Sequence, residues 1–226
     1  SWSAASSATC SGANHYSVHL PTLPGHRLLV LNNVFWSLRY DNGCGTILQD
    51  PAWEQLTWLE AALAEARAAG EKVWLLMHIP AGLDSFASDK AMEKNDKDGG
   101  PVSFYQQSLT SRLARLVAQY GPTLQVAFAG HTHMDDFRLL RAGSETTLLT
   151  KISPAVCPIF GNNPAYQVYQ YDQINGLVRN YQTYVLTNLT ALQDKGPAGA
   201  TPIWSLEYDF SQTYGLPDLT PASVAR

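Results

Sequence analysis

Up to about residue 137 the apolar positions alternate between two patterns. Residues 27–33 (RLLVLNN), 72–77 (KVWLLM) and 123–129 (TLQVAFA) are short apolar runs set off by Gly and Pro, and read as strands buried on both faces. Phe35 and Trp36 extend the first run's apolar character. Between the first two runs, Asp50-Pro51 supplies an N-cap and a first helical residue, and Leu56, Leu59, Leu63 and Ala66 recur at helical spacing up to Gly70. Residues 101–120 predict a second helix, with Leu109, Leu113, Leu116, Val117 and Tyr120 on one face and Gly121-Pro122 as the stop. Strand, helix, strand in this order implies right-handed crossovers and parallel neighbours.

Past His133 the period shortens. Residues 136–141, 146–151, 166–171 and 178–187 alternate as strands, with turns at Ala142-Gly143-Ser144, at 161–164 and at Asn175-Gly176, a strong hairpin signal. The fold class expected is α/β with a mixed sheet, its second half antiparallel and strand-rich. Residues 83–100, which include SDKAMEKNDKDGG, show no strong period and read as a solvated loop, in a place where a substrate lid would also sit. His15 and His19 share one face of a short edge strand, and His26 follows Pro24-Gly25 in a turn; all three read as surface histidines, with nothing acidic beside the first two. The domain organisation expected is a flexible start and edge strand over 1–26, an α/β domain over 27–190, and an extension over 191–226 packing across the sheet edge.

Composition narrows the function classes. A length of 226 residues fits one domain or two small ones with a proper core. The net charge of -4 comes from only 15% charged residues with no basic stripe, which argues against a nucleic-acid polymer as partner. No apolar run reaches the length of about 18 residues needed for a transmembrane helix. Cys10, Cys44 and Cys157 lack metal-ribbon or redox spacing; a Cys10–Cys44 bridge is left open. Ser1 opens no recognisable signal peptide, as in a processed chain or one cut from a longer protein. Six Trp and eleven Tyr with few Lys lean towards an extracytoplasmic (secreted, periplasmic or lysosome-like) setting. Asn188-Leu189-Thr190 matches a glycosylation triplet, a pattern common by chance.

The candidate chemistry is histidine. The run over 124–129 stops at Gly130 and delivers His131 and His133, and an extended backbone would send both imidazoles to the same side. The run over 72–77 ends at His78, before Pro80 and Gly82 turn the chain away. Three neutral imidazoles at one sheet rim suit Zn, Mn or Fe better than Ca or Mg. Two polar histidines on an exposed loop are the plainer alternative for His131 and His133, and a single zinc held by His78, His131 and His133 is another.

HIPAG at 78–82 followed by GHTH at 130–133 resembles the calcineurin-like metallophosphoesterases. GHTHMDDF, NNPAYQVYQYD, the hairpin, NLT and TPIWSLEYDFSQTYGLP narrow the likeness to the acid sphingomyelinase-like phosphodiesterase branch, over almost the whole chain. The resemblance implies a four-layer α/β/β/α sandwich and hydrolysis of a phosphodiester, in a phosphoester small molecule or a phospholipid headgroup. It implies two divalent ions, Zn first with Mn or Fe as alternatives: His78 and His131 on one, His133 on the other, and Asp135 or Asp136 steadying a histidine tautomer. The family motifs D-x-H, G-D-x-x-D and G-N-H-[DE], which carry the bridging Asp and the acid His, do not occur here. The chain therefore resembles the C-terminal half alone, with no catalytic acid of its own, a partial or empty metal site, and little expected activity in isolation. Apolar surface left by absent strands would favour a dimer or a complementary N-terminal fragment. The other function class is a non-catalytic half-domain that binds a partner chain.

Overall fold

The computed structural model describes residues 15–41, 50–93, 100–142, 145–195 and 199–225. The three apolar runs become adjacent parallel strands: β2 (His26–Leu31), β3 (Lys72–Leu76) and β4 (Leu124–Ala129). The edge strand β1 (His15–His19) runs antiparallel to β2. The crossover from β2 to β3 carries α1 (Pro51–Ala68), whose first turn is capped by Asp50 accepting from the Ala52 amide at 2.9 Å. The crossover to β4 carries α2 (Ser85–Glu93) and α3 (Gln107–Tyr120). On the far side of β4 lie β6 (Glu145–Ile152), parallel to it, and β5 (Asp136–Ala142), antiparallel to β6. The six-stranded order is β1-β2-β3-β4-β6-β5.

Alternation along these strands builds two cores. Leu29, Val73, Leu75, Ala127 and Leu148 meet the apolar faces of α1 and α3. Val126 and Leu149 point the other way, to a second sheet made of β7 (Ala165–Tyr171), β8 (Val178–Leu186) and β9 (Trp204–Asp209), all antiparallel. Val178, Tyr181, Phe210 and Leu219 fill the space between the sheets. Three short helices complete the chain: α4 (Leu189–Lys195), α5 (Phe210–Tyr214) and α6 (Pro221–Val224). A mixed sheet backed by helices and faced by an antiparallel sheet is what part of a metallophosphoesterase sandwich requires.

Several expectations are corrected. Within 83–100 the chain is not all loop: Asp84 accepts from the Ala87 amide at 2.9 Å and opens α2, whose polar sequence with exposed Phe86 and Met92 gives no apolar stripe to read. Residues 94–99 lie outside the described residues, as do Cys10, Cys44 and the centre of the 142–144 turn. The helix read over 101–120 starts only at Gln107, because Ser103 and Tyr105 bridge to Leu83 and Ser37 in extended conformation and bury Phe104 and Tyr105. His26 is not on the surface; at 4% exposure it bonds the Pro24 and Asn175 carbonyls at 3.1 and 3.0 Å. His19 does have an acidic neighbour, Glu71, at 3.3 Å. The Asn175-Gly176 hairpin exists, but its loop is longer than the two residues themselves: a bulge at Gln170/Tyr171 and Asp172, which accepts from the Ile174 amide at 2.9 Å, carry the chain from β7 to β8. Cys157 is free and exposed. No helix among the described residues is long and apolar enough to cross a membrane.

The hairpin loop packs over the start of β2. Gly176 has φ +68°, and a Cβ there would overlap the buried His26 ring and touch Leu23. Gly176→Ala is therefore expected to destabilise the chain by about 2 kcal/mol or more, the left-handed backbone alone accounting for about 1–2. Urea unfolding measures this, and an unchanged midpoint would contradict the packing.

Candidate functional site

The parallel pairing of β3 and β4 continues past their ends. The Met77 amide donates to the Phe128 carbonyl at 3.0 Å and the Gly130 amide to the His78 carbonyl at 2.9 Å. His78 and His131 leave these ends side by side: His131 Nδ1 lies 3.3 Å from His78 Nε2, the rings edge to face at 5.1 Å between centroids. Burial first, and then the adjacent His78, lowers the pKa of His131 and favours its neutral, ligating form.

The backbone that presents the histidines is not extended. His131 and His133 have φ of +71° and +61°, and the Thr132 amide folds back to the Gly130 carbonyl at 2.8 Å. Left-handed backbone costs a residue with a side chain about 1–2 kcal/mol, and such strain persists where surrounding contacts over-determine it. The two imidazoles have different neighbours. The His133 ring packs on Phe160 at 5.1 Å, its carbonyl accepts from Asn162 Nδ2 at 3.2 Å, and its buried Nδ1 has no hydrogen-bond partner. His78 and His131 are in direct contact, His133 acts on His131 through its charge, and no group of three or more His, Cys, Asp or Glu side chains among the described residues is arranged to hold a metal.

His78 is placed by a residue that sequence reading left as the end of a strand. Asn33, 0% exposed, opens a 3-10 turn (Asn33–Trp36) where β2 has stopped. Its Oδ1 accepts from the His78 and Ile79 amides at 3.1 and 3.0 Å, and its Nδ2 donates to the Ile79 carbonyl at 2.6 Å and to the Tyr105 hydroxyl at 2.7 Å. The Tyr105 hydroxyl donates in turn to the Ile79 carbonyl. A polar residue inside an otherwise apolar stretch was the only signal available.

Asp135 holds neither histidine. Its carboxylate accepts from Lys151 Nζ, from Gln167 Nε2 at 2.9 Å, from Thr183 Oγ1 at 3.0 Å and from the Tyr208 hydroxyl at 2.6 Å. Lys151, 1% exposed, also donates to the Asp136 and Ile152 carbonyls at 3.0 and 2.8 Å. The Asp136 carboxylate accepts from the Phe137 amide at 2.7 Å. Asp135 therefore ties the histidine turn to β6 and to all three strands of the second sheet. Nothing in the periodicity of β6 distinguishes Lys151 from a surface lysine.

A cleft of about 280 Å³ opens beside the histidine pair, walled by Val34, Leu38 and Phe104, with Arg39 and Asp84 at 3.5 Å from each other in its lining. Arg138 braces the Phe104 side: its guanidinium lies over that ring and donates to the Leu83 carbonyl at 2.7 Å, in a space that Gly82 keeps free of a side chain.

Asp135→Ala leaves a buried ammonium without its counter-ion and is expected to cost about 3–5 kcal/mol, whereas Lys151→Met, which removes the charge itself, costs less; denaturant unfolding of both variants measures the order. Burial raises the pKa of the Tyr105, Tyr169, Tyr181 and Tyr208 phenols. Their contribution to stability is complete below the ordinary phenol pKa of about 10 and is lost as pH rises above it. Lys151, whose pKa burial lowers, works in the opposite sense as pH rises towards about 10.4. Four phenols against one ammonium predict falling stability above about pH 10, with a shallower fall in Tyr105→Phe.

No family model matches the chain. It is 34% identical over 211 residues to human sphingomyelin phosphodiesterase, covering 90% of this chain and 29% of that protein. To human cyclic GMP-AMP phosphodiesterase SMPDL3A it is 30% identical over 226 residues, 96% of the chain and 45% of the relative. To human acid sphingomyelinase-like phosphodiesterase 3b it is 28% identical over 209 residues, 88% and 41%. The chain spans less than half the length of these relatives. Along nearly all of its own length, the chain is thus similar to part of each of these acid sphingomyelinase-like phosphodiesterases, which are its homologues.

Proposed function

We propose that this chain contributes half of a metal-dependent phosphodiester-hydrolysing centre, with His78 and His131 ligating one divalent ion and His133 a second. The observation that carries the proposal is the 3.3 Å between His78 Nε2 and His131 Nδ1. Two nitrogens at about 2.0–2.1 Å from one tetrahedral zinc stand roughly 3.3–3.4 Å apart, so the pair fits a single ion. The orphaned, buried Nδ1 of His133 is a donor set in wait of a partner, and the nitrogen-rich chemistry suits Zn, with Mn or Fe as alternatives. A bound divalent ion supplies Lewis-acid polarisation of a phosphoryl oxygen and a hydroxide available near neutral pH. Asn33 holds the backbone at His78, the Asp135 network anchors the turn after His133, and Val34, Leu38 and Phe104 wall the adjoining cleft.

A phosphodiester is proposed as substrate class because the relatives named above are phosphodiesterases of sphingomyelin and of cyclic GMP-AMP. Neither of those molecules is singled out for this chain. With no group of three or more His, Cys, Asp or Glu side chains arranged to hold a metal among the described residues, the isolated chain is proposed to bind metal weakly and to turn over at background rate. An extracytoplasmic setting remains part of the proposal, on the aromatic-rich composition.

Zinc titration of the chain by calorimetry is expected to show binding that weakens at least tenfold in His78→Ala and in His131→Ala, roughly the loss that disturbing even a supporting residue brings. Absence of zinc binding, or binding indifferent to both substitutions, overturns the reading. Hydrolysis of bis(4-nitrophenyl) phosphate above background that survives EDTA would overturn the metal dependence.

A second reading is a non-catalytic module that binds a partner chain. It is favoured by the outer face of the second sheet, where Tyr166, Val168, Trp204 and Leu206 are exposed and Tyr166 stacks on Tyr184. Sedimentation velocity distinguishes it: a concentration-independent monomer counts against self-association through that face.

A further inference from the structure

We propose that Asn33 and Tyr105 are positioning residues that set the His78 imidazole against His131 by clamping the backbone of His78 and Ile79. The inference rests on the metal-ligand reading of His78 for its consequence in function, but its geometry stands independently.

β2 and β3 are paired only from His26↔Lys72 to Val30↔Leu76, after which β2 turns into the 3-10 segment. The amides of His78 and Ile79 and the carbonyl of Ile79 consequently face a side where a strand neighbour has ended. A buried peptide group left unpaired is costly, so these groups need a substitute. The Asn33 carboxamide supplies it, since it accepts from both amides with Oδ1 and donates to the Ile79 carbonyl with Nδ2. Its remaining Nδ2 proton goes to Tyr105, whose ring packs edge to face on the buried Trp36 at 5.3 Å.

The chemistry singles out an amide. A carboxylate has no proton for the Ile79 carbonyl or the Tyr105 oxygen, and an aliphatic side chain of the same size would leave the two amides unpaired and the Ile79 carbonyl with Tyr105 alone. On the other side of His78, its carbonyl accepts from Gly130 at the end of β4. The His78 backbone is therefore held from both neighbouring strands, by a side chain on one and by main chain on the other. Asn33 is fully buried and Tyr105 1% exposed, so they act through His78 and not on a substrate.

The test uses the whole chain and two readouts. In the metal-free protein, an NMR cross-relaxation contact between the His78 and His131 ring protons is expected in the wild type and is expected to be lost in Tyr105→Phe and in Asn33→Asp. Zinc affinity is expected to fall roughly tenfold in Tyr105→Phe, in the range seen when a residue supporting a ligand is altered. Ala62→Gly in α1, a mild destabilisation remote from the clamp, should leave both readouts unchanged. Tyr105→Phe keeps the packed ring, so it decides the matter even where Asn33→Asp fails to fold. Retention of the ring contact in Tyr105→Phe overturns the clamp, as does its loss in Ala62→Gly, which would mark a general loosening. A wild-type chain that binds no zinc but loses the ring contact in Tyr105→Phe overturns the metal reading and upholds the clamp.

Discussion

The hydrogen bond from the Gly130 amide to the His78 carbonyl, 2.9 Å long, extends the parallel ladder of β3 and β4 beyond both strands. Because the two strands run in the same direction, both chains turn away at the same edge, and residues distant in sequence emerge as neighbours. The carboxyl ends of parallel strands are where open α/β sheets place their sites. Helices α1 and α3 contribute by burying Leu29, Leu75 and Ala127 behind this edge, which keeps the register and therefore the imidazole spacing.

Two supports of opposite chemistry flank the pair. On the β2 side a neutral amide, Asn33, replaces missing strand partners of the peptide after His78. On the β6 side an ion pair, Lys151 with Asp135, anchors the turn after His133. A buried charge is tolerable only when it is paired and its remaining hydrogen-bonding capacity is used. That condition is met, since Lys151 donates to a carboxylate and two carbonyls and Asp135 accepts from residues on β6, β7, β8 and β9. The second sheet is thereby coupled to the histidine turn, and the contacts offset left-handed backbone at His131 and His133.

Homology and geometry bear on function in different ways. The relatives are phosphodiesterases that match nearly the whole chain while extending well beyond it. The geometry provides a nitrogen pair, a further imidazole with an unpartnered nitrogen, and an adjoining cleft.

Much of this was legible in one dimension. The apolar runs at 27–33, 72–77 and 123–129, the cap at Asp50-Pro51 and the stripe of α1 determined the parallel strands and their first crossover, since burial imposes a period that local sequence records. The same reading put His78 and His131 at strand ends. What it missed depends on partners far away in sequence: Asn33 with Ile79, Lys151 with Asp135, and His26 under the Asn175 loop. Polar α2 left no stripe, and the extended stretch before α3 is held by Tyr105 in the core. The tight turn through His131 and His133 was also beyond reach, because left-handed φ at both residues is imposed by the turn's surroundings against their own preference. Sequence alone thus determined which residues stand at the sheet's edge, and only the tertiary structure decided which of them face each other, because that depends on hydrogen bonds between segments whose separation along the chain carries no periodic signal.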